Sequence, residues 1–127
     1  MKKVIWFFLC IFSFSAYAQD EIIESAKVSI KSGAAKELSR VLNEGVELSL
    51  DGEKANYSRT QVEYVLKDFF KKFPPTDFSY IHQGSSKEGL RYAIGKYVYA
   101  QGSFRVYLVI KQIKGKYVID TLDFSKE

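Results

Sequence analysis

The sequence predicts an α+β domain: three helices packed on one face of a curved antiparallel sheet. The expected order is helix, helix, strand, strand, helix, then four strands. Two observations carry this. Apolar residues recur at helical spacing in three stretches before Pro74, and alternate at strand spacing in one short segment before the third helix and throughout the region after Pro75. Turn signals at Asp51-Gly52, Gln101-Gly102 and Lys114-Gly115 join the strands so closely that consecutive strands must run antiparallel. Helices that precede a long meander cover one of its faces. No internal repeat, low-complexity tract or linker divides the chain.

The chain opens with a leader rather than with the fold. Met1-Lys2-Lys3 is a positive head, Val4 to Phe14 an apolar run, and Ala16-Tyr17-Ala18 places small residues at the −3 and −1 positions of a cut before Gln19. This is the three-part pattern of a secretory signal peptide. The expected organisation is residues 1–18 as signal and 19–127 as one domain, released into the periplasm or secreted. The apolar run is shorter than the about 20 residues of a spanning helix. Phe7-Phe8-Leu9 also lacks the small residue that lipoprotein processing expects before Cys10. No stable membrane span is expected after cleavage.

From Asp20 to Ile30, the residues Ile22, Ile23, Ala26 and Ile30 form a helical stripe. Asp20, Glu21 and Glu24 sit in the first turns, where the dipole favours acids. Ser32-Gly33 breaks this helix. Ala34, Leu38, Val41 and Leu42 mark a second helix, with Gly45 as the expected cap. Val46, Leu48 and Leu50 then alternate with Glu47 and Ser49, Asp51-Gly52 turns the chain, and Glu53 to Tyr57 returns as a strand. Ser58-Arg59-Thr60-Gln61 fits a capping box. Behind it Val62, Val65, Leu66, Phe69, Phe70 and Phe73 form the clearest amphipathic helix, stopped by Pro74-Pro75.

The remainder is a meander. Asp77 to Gln83 reads as a strand with Phe78, Tyr80 and His82 on one face. Gly84 to Gly89 reads as a polar loop, and Leu90 to Ala100 as a strand with a bulge at Gly95. Ser103 to Ile113 alternates most strongly: Phe104, Val106, Leu108 and Ile110 on one face, Arg105, Tyr107, Val109 and Lys111 on the other. Lys116 to Phe124 closes the sheet.

Composition excludes several classes of function. Loss of the leader removes the only Cys, so no disulfide and no thiolate chemistry remain. It also removes Lys2 and Lys3, leaving seventeen basic against fifteen acidic residues, a net +2. A nucleic-acid binder gathers a stronger basic excess on one face, so no nucleic-acid partner is expected. A single histidine, His82, without cysteine argues against a zinc site. The glycines form no phosphate loop, the serines no nucleophile elbow. No cofactor, metal or catalytic residue is assigned.

The order of elements and several local phrases resemble the nuclear transport factor 2-like, or cystatin-like, superfamily. The phrases are Lys31 to Leu38, Asn43 to Leu50 and Tyr57-Ser58. The resemblance covers essentially the whole mature chain and implies a cone-shaped fold. More narrowly, Val65 to Phe70, His82-Gln83-Gly84, Tyr92 to Gly95 and Phe104 to Tyr107 resemble an exported Bacteroidetes family described as a domain of unknown function. That family implies no activity. Isomerases of the superfamily pair an acid with a tyrosine of the first helix; here that helix has none.

The favoured expectation is an exported, non-catalytic binding domain for a small apolar molecule or a protein partner, with Tyr80, His82, Tyr92 and Asp120 as candidate ligand-binding residues. Asp120 shares the parity of Val118, Leu122 and Phe124 and is expected to point inward. The alternative is a small pocket enzyme of isomerase or dehydratase type using His82 or Asp120. Tyr97, Tyr99, Arg105 and Tyr107 are expected on the outer sheet face, where tyrosine with arginine suits an interface. A homodimer or a docked partner there is the expected association.

Overall fold

The computed structural model describes residues 21–85 and 90–127. The expected signal peptide, Asp20 at the head of the first helix, and positions 86–89 of the expected loop lie outside the described residues. Helix α1 covers residues 21–32. Its end is a Schellman cap. Gly33 takes φ +67°, its N–H bonds Ile30 O at 3.1 Å, and the Ala34 N–H bonds Ser29 O at 2.8 Å. Helix α2 is only Ala35–Ser39. Strands β1 (Leu42–Leu50) and β2 (Glu53–Ser58) form a hairpin, helix α3 (Arg59–Lys72) follows, and β3 (Pro75–Ser85), β4 (Arg91–Tyr99), β5 (Gly102–Ile113) and β6 (Lys116–Lys126) complete the chain.

These elements form one six-stranded sheet in the order β2-β1-β6-β5-β4-β3, open at both edges. The element order and the α+β class are those the sequence predicts. One pairing departs from an all-antiparallel sheet: β1 runs parallel to β6, so the sheet is mixed. No local turn dictates that pairing, because most of the domain lies between the two strands.

Local chemistry explains several boundaries. Asp51 and Gly52 take φ +50° and +89°, the left-handed pair of a two-residue turn. The Ser58 hydroxyl accepts from Gln61 N at 3.2 Å while Gln61 Oε1 accepts from Ser58 N at 2.9 Å, closing the capping box. Pro75 is tolerated at the start of β3 because that strand is an edge. The second helix is shorter than its apolar spacing predicts. Leu42 pairs with Ile119, and the Val41 carbonyl accepts from Ile119 N at 2.8 Å. Pairing with β6 draws the chain into the sheet before another helical turn forms, overriding weak local propensity. Gly45 is then a strand residue opposite Ser58 rather than a helix cap.

Register shifts at several points reset the strand parity, two of them beside expected site residues. Tyr80 pairs with Gly95 and His82 with Ile94, so Ile81 is the extra residue. Ile110 pairs with Ile119 and Val109 with Thr121, so Asp120 is another. Gly95 itself is not bulged; β4 and β5 stay in unbroken register through it. The helices pack on one sheet face. Ile23, Ala26 and Ile30, Leu38, and Val62, Leu66, Phe69 and Phe70 meet Leu48, Phe78, Tyr97, Phe104, Leu108 and Phe124. No helix among the described residues is long and apolar enough to cross a membrane.

Candidate functional site

The interior of the curved sheet is filled with aromatic rings. Phe69 of α3 lies within 6.0 Å, centroid to centroid, of Phe70, Phe73, Tyr97, Phe104 and Phe124. The Tyr97 hydroxyl donates to the Phe73 carbonyl at the end of α3. The Tyr80 hydroxyl donates to Ile23 O of α1 at 2.6 Å. Burial raises both phenol pKa values well above their ordinary 10.0, with Glu24 adding to the rise at Tyr80. Each is a neutral donor committed to a backbone carbonyl, without an acid–base partner. Among the described residues no buried side-chain nitrogen or oxygen lacks a hydrogen bond. No three His, Cys, Asp or Glu of the described residues gather as a metal site.

The four expected ligand-binding residues are split between the two sheet faces. Tyr80 stays on the helix side. The bulge at Ile81 turns His82 to the outer face, off the face of Phe78 and Tyr80 on which strict alternation puts it. There its Nε2 lies 3.2 Å from Tyr92 Oη. The bulge at Asp120 likewise turns that carboxylate outward rather than inward. It meets Lys111 Nζ at 3.5 Å and Asn43 Nδ2 at 3.2 Å, with 26% of the side chain exposed. His82 and Asp120 therefore do not converge in an enclosed cavity, as the pocket-enzyme alternative requires.

Tyr97 and Tyr99 also differ from expectation. They sit opposite Phe104 and Gly102 on the core-facing parity of β4 and are buried under α3, not presented on the outer face. Arg105 and Tyr107 do lie on the outer face and are exposed.

One opening, of about 520 Å³, lies among the polar and acidic residues of α1 and α2. An open cleft of about 580 Å³ lies between α3 and the end of the sheet at the β1–β2 turn. Leu50, Val65, Phe69, Phe73 and Phe104 form its apolar lining. Asp51, Glu53, Tyr64, Asp68, Lys72 and Lys126 form the rest. Tyr64 is 67% exposed. Lys72 and Asp68 form a solvent-exposed pair at 3.4 Å, one helical turn apart. Neither His82 nor Asp120 lines this cleft.

The profile of the domain of unknown function DUF4783 matches residues 23–125. The chain belongs to the DUF4783 family. Among solved structures, a DUF4783 family protein from Bacteroides ovatus ATCC 8483 is 25% identical, covers 81% of this chain and 93% of its own, and has a TM-score of 0.76. One from Bacteroides fragilis YCH46 is 27% identical over 81% of this chain and 96% of its own, also at TM-score 0.76. A nuclear transport factor 2-like protein of unknown function from Silicibacter pomeroyi DSS-3 shares the fold, at 14% identity, 91% and 98% coverage and TM-score 0.62. No curated protein matches the chain.

The cleft of this DUF4783 domain was not among the residues singled out from sequence. One signal for it exists. The apolar stripe of α3 is wider than a helix needs when it packs on one sheet. Val65 and Phe73, at the sides of that stripe, stay half-buried and become cleft wall.

Proposed function

We propose that this DUF4783 protein is an exported, non-catalytic binding domain that takes a small, mainly apolar molecule into the cleft beside α3. The observation that carries the reading is the cleft itself. Its volume lies in the range of ligand sites, and its lining pairs a wall of Phe69, Phe73, Phe104, Leu50 and Val65 with the charged side chains of Asp51, Glu53, Asp68, Lys72 and Lys126. Such a wall gains free energy by shedding water onto an apolar ligand. The charged groups keep the empty site wet and orient a polar tail.

Export rests on the leader: a positive head, an apolar run and the Ala16-Tyr17-Ala18 cut site. His82 and Asp120, the residues expected of a pocket enzyme, do not line the cleft, which supports binding over turnover.

The test is fluorescence titration with an anilinonaphthalene sulfonate probe, alongside native mass spectrometry of protein purified from its own host. The wild-type protein should bind the probe with saturation. Leu50→Gln and Val65→Gln should weaken it by roughly tenfold each, about 1.4 kcal/mol, with unchanged thermal unfolding. Equal binding by all three proteins would overturn the assignment of this cleft.

A further inference from the structure

Strands β5 and β6 outrun the rest of the sheet. Pairing with β4 begins at Ile110 and pairing with β1 at Ile119. Yet β5 and β6 go on pairing with each other, Lys111 with Val118, Gln112 with Tyr117 and Ile113 with Lys116. Lys111 to Val118 is therefore a two-stranded ribbon with no strand paired on either side. It stands at the opposite end of the sheet from the cleft, whose wall residues Leu50 and Phe104 lie at the end of β1 and near the start of β5. Residues 111–116 are all exposed.

The ribbon concentrates one chemistry. Residues directly paired across strands share a face, so Lys111, Ile113 and Lys116 lie together, with Lys114 at the tip. Lys111 meets Asp120 at 3.5 Å, whereas Lys114 and Lys116 make no ion pair among the described residues. Ile113, 37% exposed, stands among these cations. The turn adds an independent observation. Lys114 and Gly115 take φ +52° and +77°, the left-handed pair of a two-residue turn. Asparagine, aspartate and glycine adopt that conformation readily, and lysine is strained in it. The Asp51-Gly52 turn of the same sheet uses the easy residue. Folding alone does not account for a lysine at position 114.

We propose that this ribbon adsorbs, weakly and reversibly, to the surface of an anionic phospholipid bilayer. Ile113 enters the headgroup layer, and Lys111, Lys114 and Lys116 lie over the phosphates. The shape fits a broad surface: a projecting tip offers no concavity to a small ligand. The composition fits lipid better than protein or nucleic acid. Protein interfaces enrich arginine and deplete lysine, and bidentate recognition of phosphate uses arginine. Residues 111–118 hold three lysines and no arginine. Mobile ammonium groups suit the diffuse charge of headgroups, and an apolar side chain among them adds short-range burial.

The test is co-sedimentation of the protein, purified from its own host, with vesicles of phosphatidylglycerol mixed into phosphatidylcholine and with vesicles of phosphatidylcholine alone. At low salt the wild type should sediment with the anionic vesicles only, and about 0.5 M salt should release it. Lys114→Asn with Lys116→Gln should weaken binding ~25-fold, roughly fivefold for each lysine removed. Ile113→Ser should weaken it about fivefold with an unchanged salt dependence. Lys114→Asn alone should also raise the unfolding temperature, because asparagine relieves the turn. Weaker adsorption by a more stable fold is not a folding defect. Probe binding in the cleft should be the same in every variant, so failure at the ribbon and failure at the cleft are separate results. A wild type that stays in the supernatant would overturn the proposal. So would equal sedimentation with neutral vesicles, or variants that bind as the wild type does. A chain that ignores vesicles but binds polyglutamate through these lysines would overturn it in favour of an acidic protein partner.

Discussion

The ring of Phe78 occupies the space where a side chain on Gly95 would begin. A Cβ built on Gly95 would lie 2.6 Å from Phe78 Cε1 and 3.1 Å from the Ser79 carbonyl oxygen. Phe78 is buried and belongs to the aromatic core, so the ring cannot swing aside without opening that core. Glycine at position 95 is thus a packing requirement set by the neighbouring strand, not a bulge in its own.

Gly95→Ala should therefore destabilise the domain by overpacking, at about 1–3 kcal/mol. Urea unfolding measures it as a lower midpoint with an unchanged slope. Gly45, where a Cβ would meet nothing within 4 Å, is the control: its alanine variant should cost far less. Equal losses at the two positions would contradict the close fit of Phe78.

Phe69→Ala should cost about 3–5 kcal/mol, the range for deleting a buried ring whose site cannot collapse. Phe69 is 6% exposed and meets five other rings edge-on or tilted: Phe70 of its own helix, Phe73 just past the helix end, and Tyr97, Phe104 and Phe124 of β4, β5 and β6. A measured loss below about 1 kcal/mol would mean the ring is not the centre of the core.

What the sequence disclosed, and what it hid, follows from the range of each interaction. The capping box at Ser58 and the Asp51-Gly52 turn were legible because four and two adjacent residues contain all their chemistry. The facing of His82 and Asp120 was not. Strand parity has a period of two, and one inserted residue reverses it. The insertions at Ile81 and Asp120 show only in the register with the neighbouring strands β4 and β5, which the residues beside them do not carry. Tyr97 and Tyr99 were misplaced for a related reason. Nothing in the segment from Arg91 to Tyr99 says that register runs unbroken through Gly95, and only that continuity puts them beside Phe104. The cleft was hidden because its wall residues also read as ordinary core; their half-burial depends on how far the sheet extends beyond α3.

Export predicts a defined new terminus. Cleavage after Ala18 would leave Gln19 as the first residue and would remove Cys10 and Trp6 with the leader. Intact-mass and N-terminal sequencing of the exported protein should therefore find a chain of 109 residues, Gln19 to Glu127, that does not react with thiol reagents. A mature form that begins at Met1 would contradict this.

The two buried tyrosines predict where the fold fails at high pH. Tyr80 and Tyr97 have their phenol pKa raised above 10.0 by burial, so the folded state holds those protons more tightly than the unfolded chain does. The direction follows from proton binding. Below about pH 10 both states keep the protons, and the contribution is fully present. Above it the unfolded chain ionises first and gains stability relative to the fold, so folding free energy falls as pH rises toward the folded-state pKa. Ionisation would also remove the two donors that hold Ile23 O and Phe73 O, leaving those carbonyls facing a phenolate. Unfolding by urea should accordingly show a flat midpoint between about pH 7 and pH 9 and a steep decline from about pH 10 upward. Tyr80→Phe removes one of the two groups, and should lower stability near neutral pH by about 1 kcal/mol for the lost hydrogen bond while making the alkaline decline shallower. An unaltered alkaline slope in that variant would show that Tyr80 ionises no later in the fold than in the open chain.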